Sequence, residues 1–181
     1  MTASDEQLMA RYCDGDETAF EALYLRHRGP LFRYVRRLAP AGADAESIYQ
    51  DAWMRVIQAR AQWRRDQAFK PWLYRIAHNK VIDRLRRDAH MSASDDEAVA
   101  GLPAGGGELD VMQLLRDCVE RLLALLAGLP EVQRSAFLLK EEAGLSLEQI
   151  GEVTGVGRET VKSRLRYALS RLRQGLEGCN D

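Results

Sequence analysis

The sequence predicts an all-α protein of two small helical domains joined by a flexible linker, the second ending in a helix-turn-helix. Three observations carry that prediction. Apolar residues recur at three- and four-residue spacing along most of the chain, and no series of stretches alternates as strands would. Ser or Asp stands ahead of four of the periodic segments, at Ser4, Asp16, Asp44 and Ser146, twice with Gln three residues on. The stretch 91–108, MSASDDEAVAGLPAGGGE, is small, acidic and glycine-rich, a composition that cannot pack a core. The division expected is therefore 1–90, a linker at 91–108, and 109–181.

Taken in order, Ser4 and Gln7 have capping-box spacing and open a helix carrying Leu8, Met9 and Tyr12, ended by Asp14-Gly15-Asp16. Asp16 caps a second helix with Phe20, Leu23 and Tyr24 on one side. Gly29-Pro30 interrupts it, and the helix resumes with Leu31, Val35 and Leu38, the proline in its first turn. After a loop at 40–42, Asp44 opens a longer helix whose apolar line is Ile48, Ala52, Val56 and Ala59. Tyr49 and Trp53, four residues apart, project from an adjacent side, which is either the wide buried face of a bundle or a surface kept for a partner. Residues 62–67 form a polar loop in which Trp63 stands beside Arg64 and Arg65. An aromatic among cations suits stacking on unpaired bases, although a single surface Trp is also ordinary.

The segment 69–87, FKPWLYRIAHNKVIDRLRR, reads as a helix with Pro71 in its first turn and Trp72, Leu73, Ile76 and Ala77 facing inward. Arg75, Asn79 and Arg86 share one polar side, and Lys80, Arg84 and Arg87 another. Such a helix offers cations to a backbone and one amide to a base, unless Asn79 is simply exposed. His78 has no ligand spacing to His27 or His90 and is read as a surface or half-buried side chain. Beyond the linker, Leu114, Cys118, Leu122, Leu125 and Leu129 mark one helix, closed by Gly128 and Pro130, and Val132, Ala136 and Leu139 mark the next.

The closing stretch 146–173, SLEQIGEVTGVGRETVKSRLRYALSRLR, holds a short capped helix, a turn at Gly155, and a second helix with Val161, Leu165, Ala168, Leu169 and Leu172 at helical spacing. Gly151 permits close approach of the second element. From Arg158 to Arg173 there are six basic residues and one acidic, Glu159. An ordinary αα-hairpin with a solvated face would satisfy the pattern, but the sign asymmetry favours a helix-turn-helix whose second helix attracts phosphate.

A net charge of −1 does not exclude nucleic acid, because it averages blocks of opposite sign. The segment 60–87 carries nine basic residues against Asp66 and Asp83, while 88–120 is acidic. Cys13, Cys118 and Cys179 are odd in number, far apart and without CxxC spacing, so they are expected as inert thiols rather than a zinc site or a disulfide framework. The chain opens with polar MTASDEQ and has no apolar run near the ~20 residues that a membrane helix needs, which predicts a cytoplasmic protein. After Arg173 only QGLEGCND follows, so no further sensor module is expected. No P-loop, HExxH or nucleophile elbow is present; neither an enzyme nor a cofactor is expected.

Four stretches in order, DAESIYQDAWMRV from Asp44, FKPWLYRIAHNKVIDRLRR from Phe69, LPEVQRSAFLLKEEAGLSLEQIGEVTGV from Leu129 and ETVKSRLRYALSRLR from Glu159, resemble the extracytoplasmic-function group of bacterial RNA polymerase sigma factors in the sigma-70 family. That resemblance covers nearly the whole chain. It implies that the helix from Asp44, through Asp44, Glu46, Tyr49, Gln50 and Trp53, docks on the β′ clamp helices of core polymerase, with the β flap as a further contact of the enzyme. It implies that 60–87 melts and reads a promoter minus-10 element, with Arg64, Arg65 and Gln67 in the base-capturing loop, Asn79 at a base-reading position, and Arg75, Lys80, Arg84 and Arg86 holding the strand. It implies that Arg158, Glu159, Lys162, Ser163 and Arg166 enter the major groove of a minus-35 element, and that an anti-sigma factor masks these faces.

The chain departs from the family pattern at Ser47, where an acidic residue is usual, at Tyr49, which takes a hydrophobic position, and at Gly157, where a capping Ser is frequent. The competing reading is a stand-alone helix-turn-helix repressor or activator, for which only the last domain binds DNA. The basic, aromatic segment 60–87 argues against it, because a sensor module has no need of such a surface.

Overall fold

The structure, a computed structural model, describes residues 3–40, 42–91, 111–177 and 179. The described residues form α-helices and no strand: α1 (Asp5–Cys13), α2 (Glu17–Leu38), α3 (Ala45–Gln58), α4 (Phe69–Met91), α5 (Val111–Ala127), α6 (Glu131–Glu141), α7 (Leu147–Thr154) and α8 (Arg158–Gly175), with a single 3-10 turn at Arg60–Gln62. The expected linker lies outside the described residues apart from Met91.

Local chemistry starts the helices where the sequence places them. Ser4 and Gln7 exchange side-chain bonds with each other's backbone N–H in a full capping box. Asp16 accepts from the N–H groups of Thr18 and Ala19, and Asp44 from that of Ser47. The start of α4 has a remote cap: the Glu6 carboxylate of α1 accepts from Phe69 N at 3.2 Å. α4 then runs to Met91, four residues beyond the expected end.

α2 differs from expectation. It is one 22-residue helix with Pro30 inside it, not two segments separated at Gly29-Pro30. An interior proline removes one helical bond and costs ~3 kcal/mol. Leu31, Tyr34, Val35 and Leu38, all inaccessible to solvent, gain ~1.5–3 kcal/mol each for the larger side chains when the helix continues. Burial prevails over the local break.

The helices before and after the linker pack against each other. α4 lies on α7 and α2 on α6, and one continuous set of buried side chains includes Leu23, Tyr34 and Phe69 with Leu138, Leu139 and Ile150. Polar groups tie the same contact. Glu142, nearly buried, is bridged by Arg33 at 2.8 Å and by Arg37. The Arg134 guanidinium reaches the end carbonyls of two helices, Ala127 O at 2.9 Å and Leu38 O at 3.3 Å. A smaller set, Leu126, Leu129, Ala168 and Leu172, joins α5 to α8.

Two side-chain placements revise the sequence reading. Trp63 is buried, 6% exposed, so it cannot stack on bases from the polar loop; its side chain belongs to the main core. Cys118 and Cys179 are not separate thiols. They form a disulfide pair with Cα atoms 5.8 Å apart, inside the range that a disulfide spans. Their separation of 61 residues gave no sign of it, because the antiparallel packing of α5 and α8 creates the proximity.

His78 is buried, not at the surface. Its Nδ1 lies 2.9 Å from Tyr34 Oη and 3.3 Å from Ser135 Oγ, joining α2, α4 and α6. Burial, helped by the Arg164 charge, pulls its pKa down to about 4. The unfolded chain, with an ordinary value near ~6.5, therefore binds the extra proton first as pH falls. Stability is fully present above that value and declines toward pH 4. The expected loss from this group is on the order of 3 kcal/mol. Urea unfolding across pH 4–7 checks it: His78→Gln, which keeps an acceptor for Tyr34 but has no titrating ring, flattens this part of the slope.

Candidate nucleic-acid interface

The helix-turn-helix is built by its glycines and its cap. Ser146 Oγ accepts from Gln149 N at 3.2 Å while Gln149 Oε1 accepts from Ser146 N at 2.9 Å. Gly155 ends α7 in the left-handed region at φ +72°, and both Gly155 N and Val156 N donate to Gly151 O. At Gly151 a methyl group would stand 2.6 Å from Val156 O, so only glycine lets the turn fold over α7. Ile150, Val153, Val161 and Leu165 then close the corner as buried side chains. Gly157, the N-cap of α8, supplies no side-chain bond.

This geometry leaves Arg158, Lys162 and Arg166 exposed on successive turns of α8, with Glu159 exposed beside them and Ser163 half-buried. Arg158 Nε lies 2.6 Å from the Glu148 carboxylate, Lys162 3.8 Å from that of Glu159, and the Arg166 guanidinium 5.2 Å from the Tyr167 ring centroid. These ion pairs are more than half exposed, so water and salt screen them and they add little to stability. Phosphate oxygens can replace such partners. Tyr167, 55% exposed, sits within this surface and was not singled out by the apolar periodicity, in which it is off the buried stripe.

The candidate residues before the linker divide into three groups. Arg75 and Asn79 are exposed on α4 and, with half-buried Lys80, line a groove together with Arg55, Gln62 and Trp72. Arg86 lies further along the same face, while Arg84 turns aside to Asp88 at 2.9 Å. Arg64 and Arg65 are exposed in the loop and paired with Asp66 and Asp14, each at 2.6 Å; Gln67 is half-buried. The structure therefore brings Arg75, Asn79 and Lys80 together, but not Arg84.

On α3, Trp53 does not project outward. It is 5% exposed and packed among Phe20, Tyr24 and Tyr49 in edge-on contacts with centroids 5.1–6.5 Å apart. Tyr49 is half-buried against Phe32. The bundle-core alternative holds for this pair, because the first half of α2 supplies aromatic partners that no local pattern reveals. The outward stripe is Glu46, Gln50, Met54 and Ile57, with Asp44 at its start; Met54 is 51% exposed and Ile57 37%. Their i, i+4, i+8, i+11 spacing was the available signal.

The two basic helices are not independently presented. The end of α7 and its turn, from Glu152 to Gly155, lie along α4 and share a groove with Arg75, His78, Asn79 and Arg86. The first helix of the hairpin thus covers one side of the candidate base-reading face.

Comparison with known proteins matches residues 23–90 to Sigma-70 region 2 and residues 119–172 to Sigma-70, region 4. The chain is 34% identical over 170 residues to ECF RNA polymerase sigma factor SigM of Mycobacterium tuberculosis, covering 93% of this chain and 83% of that one. It is 31% identical to RNA polymerase sigma factor CarQ of Myxococcus xanthus, covering 92% and 94%, and 30% identical to the ECF RNA polymerase sigma-E factor of Escherichia coli K12, covering 90% and 88%. Among solved structures it resembles the sigma factor RpoE in complex with the anti-sigma factor NepR from Bartonella quintana, at TM-score 0.71 and 25% identity over 87% of this chain and 96% of that one. It shares the fold of CnrH in complex with the cytosolic domain of CnrY, at TM-score 0.70 and 24% identity over 96% and 97%. Among the described residues no helix is long and apolar enough to cross a membrane.

Two glycines of the hairpin give opposite expectations. Gly151→Ala forces the turn away from α7 and lowers stability by ~1–3 kcal/mol. Gly157→Ser meets nothing within 4 Å and adds a capping oxygen, raising stability by a few tenths, ~0.3 kcal/mol. Chemical denaturation followed by circular dichroism checks both.

Proposed function

The chain belongs to the extracytoplasmic-function group of the sigma-70 family, and from that premise we propose how its surfaces divide the work of starting transcription. The protein is a sigma factor: it binds core RNA polymerase and directs promoter-specific initiation. The observation that carries the residue-level reading is the pair of exposed basic faces, on α4 and α8, one in each matched region.

Arg158, Lys162 and Arg166 hold the phosphates and base edges of the minus-35 major groove from α8, with Glu159 and Ser163 beside them as further hydrogen-bonding groups. Asn79 reads the minus-10 element, and Arg75, Lys80 and Arg86 hold the adjacent backbone. Opening the duplex costs stacking energy, which capture of an unstacked base offsets. Arg64, Arg65 and Gln67 line the capturing loop, and Trp63, being buried, fixes that loop rather than touching a base. Arg84 acts within α4. On α3 the polymerase face is Asp44, Glu46, Gln50, Met54 and Ile57, with Tyr49 and Trp53 shaping it from beneath.

Reading both elements requires the two blocks to separate, because α7 covers part of the α4 face. Elements centred about 25 base pairs apart lie roughly 85 Å apart at ~3.4 Å per step. Residues 92–110 span at most ~65 Å when extended. The 23-residue α4 and 18-residue α8 add roughly 35 and 27 Å, so the opened chain is long enough to reach both elements. The likeness to a sigma factor captured with an anti-sigma factor supports a protein inhibitor that holds the closed form.

Run-off transcription with core polymerase on a promoter library tests the assignment. Asn79→Ala changes base preference at the minus-10 element, and Arg166→Ala at the minus-35 element, each by ~1–3 kcal/mol of discrimination; unchanged preferences in both variants overturn these roles. Met54→Asp and Ile57→Asp, at exposed positions, weaken core binding at least tenfold in a direct affinity measurement while leaving the folded helix content intact.

A further inference from the structure

The cysteine pair has no part in promoter reading, yet it sits at a strategic contact. α5 is held chiefly by α8, and among its described side chains the buried one is Leu126, in the last turn, with Leu129 just after the helix. Its earlier half presents Leu115 and Val119, each more than half exposed, and has little tertiary support of its own. Gly175 brings the end of α8 directly against Leu125, so closely that a methyl group there would stand 2.4 Å from Leu125 Cδ2. From that point the two segments run antiparallel, and Cys179, four residues past α8, meets Cys118, two turns earlier on α5.

We propose that Cys118 and Cys179 are a reversible thiol–disulfide site that fixes the first half of α5 to the end of the recognition helix when oxidised and releases it when reduced. Three features support this. Both residues are half-exposed, which admits a small thiol or disulfide. The Cα separation of 5.8 Å allows bridging without a backbone shift. A protein that works beside RNA polymerase meets the thiol-reducing pool of the cell, where disulfides are transient and regulatory rather than permanent. Cys13 is the internal contrast: it has no second cysteine near it, its thiol donates to Arg60 O at 3.2 Å, and burial pushes its pKa up, all of which suppress exchange.

The chemistry uses an oxidised low-molecular-weight disulfide such as glutathione disulfide. One protein thiolate attacks its S–S bond and displaces a small thiolate, leaving a mixed disulfide. The second protein thiolate attacks the protein-side sulfur of that bond and displaces the other small thiolate. Two protein thiols are oxidised, one small disulfide is reduced to two thiols, and the two protons lost by the protein are taken up by the displaced thiolates.

The test uses the full chain carrying Cys13→Ser, equilibrated in glutathione mixtures of graded ratio, then trapped with a thiol-alkylating reagent and weighed by mass spectrometry. The expected result is reversible interconversion of a dithiol and an intramolecular disulfide, with hydrogen exchange across 113–122 at least tenfold faster in the reduced form and unchanged in α1. Cys179→Ser, which lies outside every helix and leaves the fold intact, exchanges at the fast rate under both conditions. Only mixed glutathione adducts in oxidising buffer, or equal exchange of α5 in the two forms, overturns the proposal. This outcome is independent of which promoter elements are read.

Discussion

The continuity of α2 through Pro30 is the constraint on which the rest depends. It packs against α1, α3, α4 and α6. Broken at Gly29, the chain would leave two short helices with no common axis to align those neighbours. Unbroken, it sets Tyr34 beside His78, Arg33 and Arg37 beside Glu142, and the Leu38 carbonyl beside Arg134. The contacts with Glu142 and Arg134 cross from the helices before the linker to those after it. The ~3 kcal/mol that an interior proline costs is small beside the burial of Leu31, Tyr34, Val35 and Leu38.

That rod also explains the character of the interface between the blocks. It mixes a fully apolar part, where Leu138 and Leu139 meet the first block, with a carboxylate bridged by two arginines that are themselves one-third to one-half exposed. Inter-domain contacts of this polar kind open more readily than obligate ones. Partly exposed arginines can exchange Glu142 for water or for an anion at modest cost. The blocks can therefore be closed in isolation and still come apart against a larger partner.

What was legible in the sequence was whatever chemistry acts within a few residues. The boxes at Ser4 and Ser146, the aspartate caps at 16 and 44, the turn at Gly155 and the close approach at Gly151 are local, and the structure has each of them. The exposed cations of α8 followed from the same periodicity. The misreadings all involve distant partners. Trp53 looked available because Phe20 and Tyr24, which enclose it, belong to another helix. Trp63 looked like a loop aromatic because its burial depends on a corner that only folding makes. Helix period cannot distinguish a second buried stripe from a surface kept for a partner, so Met54 and Ile57 went unnoticed while Tyr49 and Trp53 stood out. Cys118 and Cys179 were invisible as a pair for the same reason.

The remote cap on α4 has a consequence for anyone dividing this molecule. Ala68 precedes the helix and has no side-chain acceptor, so the first-turn N–H of Phe69 depends on Glu6, a residue 63 positions earlier. A carboxylate at a helix start is worth ~0.5–2 kcal/mol. A fragment trimmed to α2–α4 would retain every arginine and the asparagine of the basic helix, yet its first turn would fray. Dissection by sequence boundaries would then understate what α4 does, and α1, which carries no candidate contact of its own, would prove to be part of the instrument.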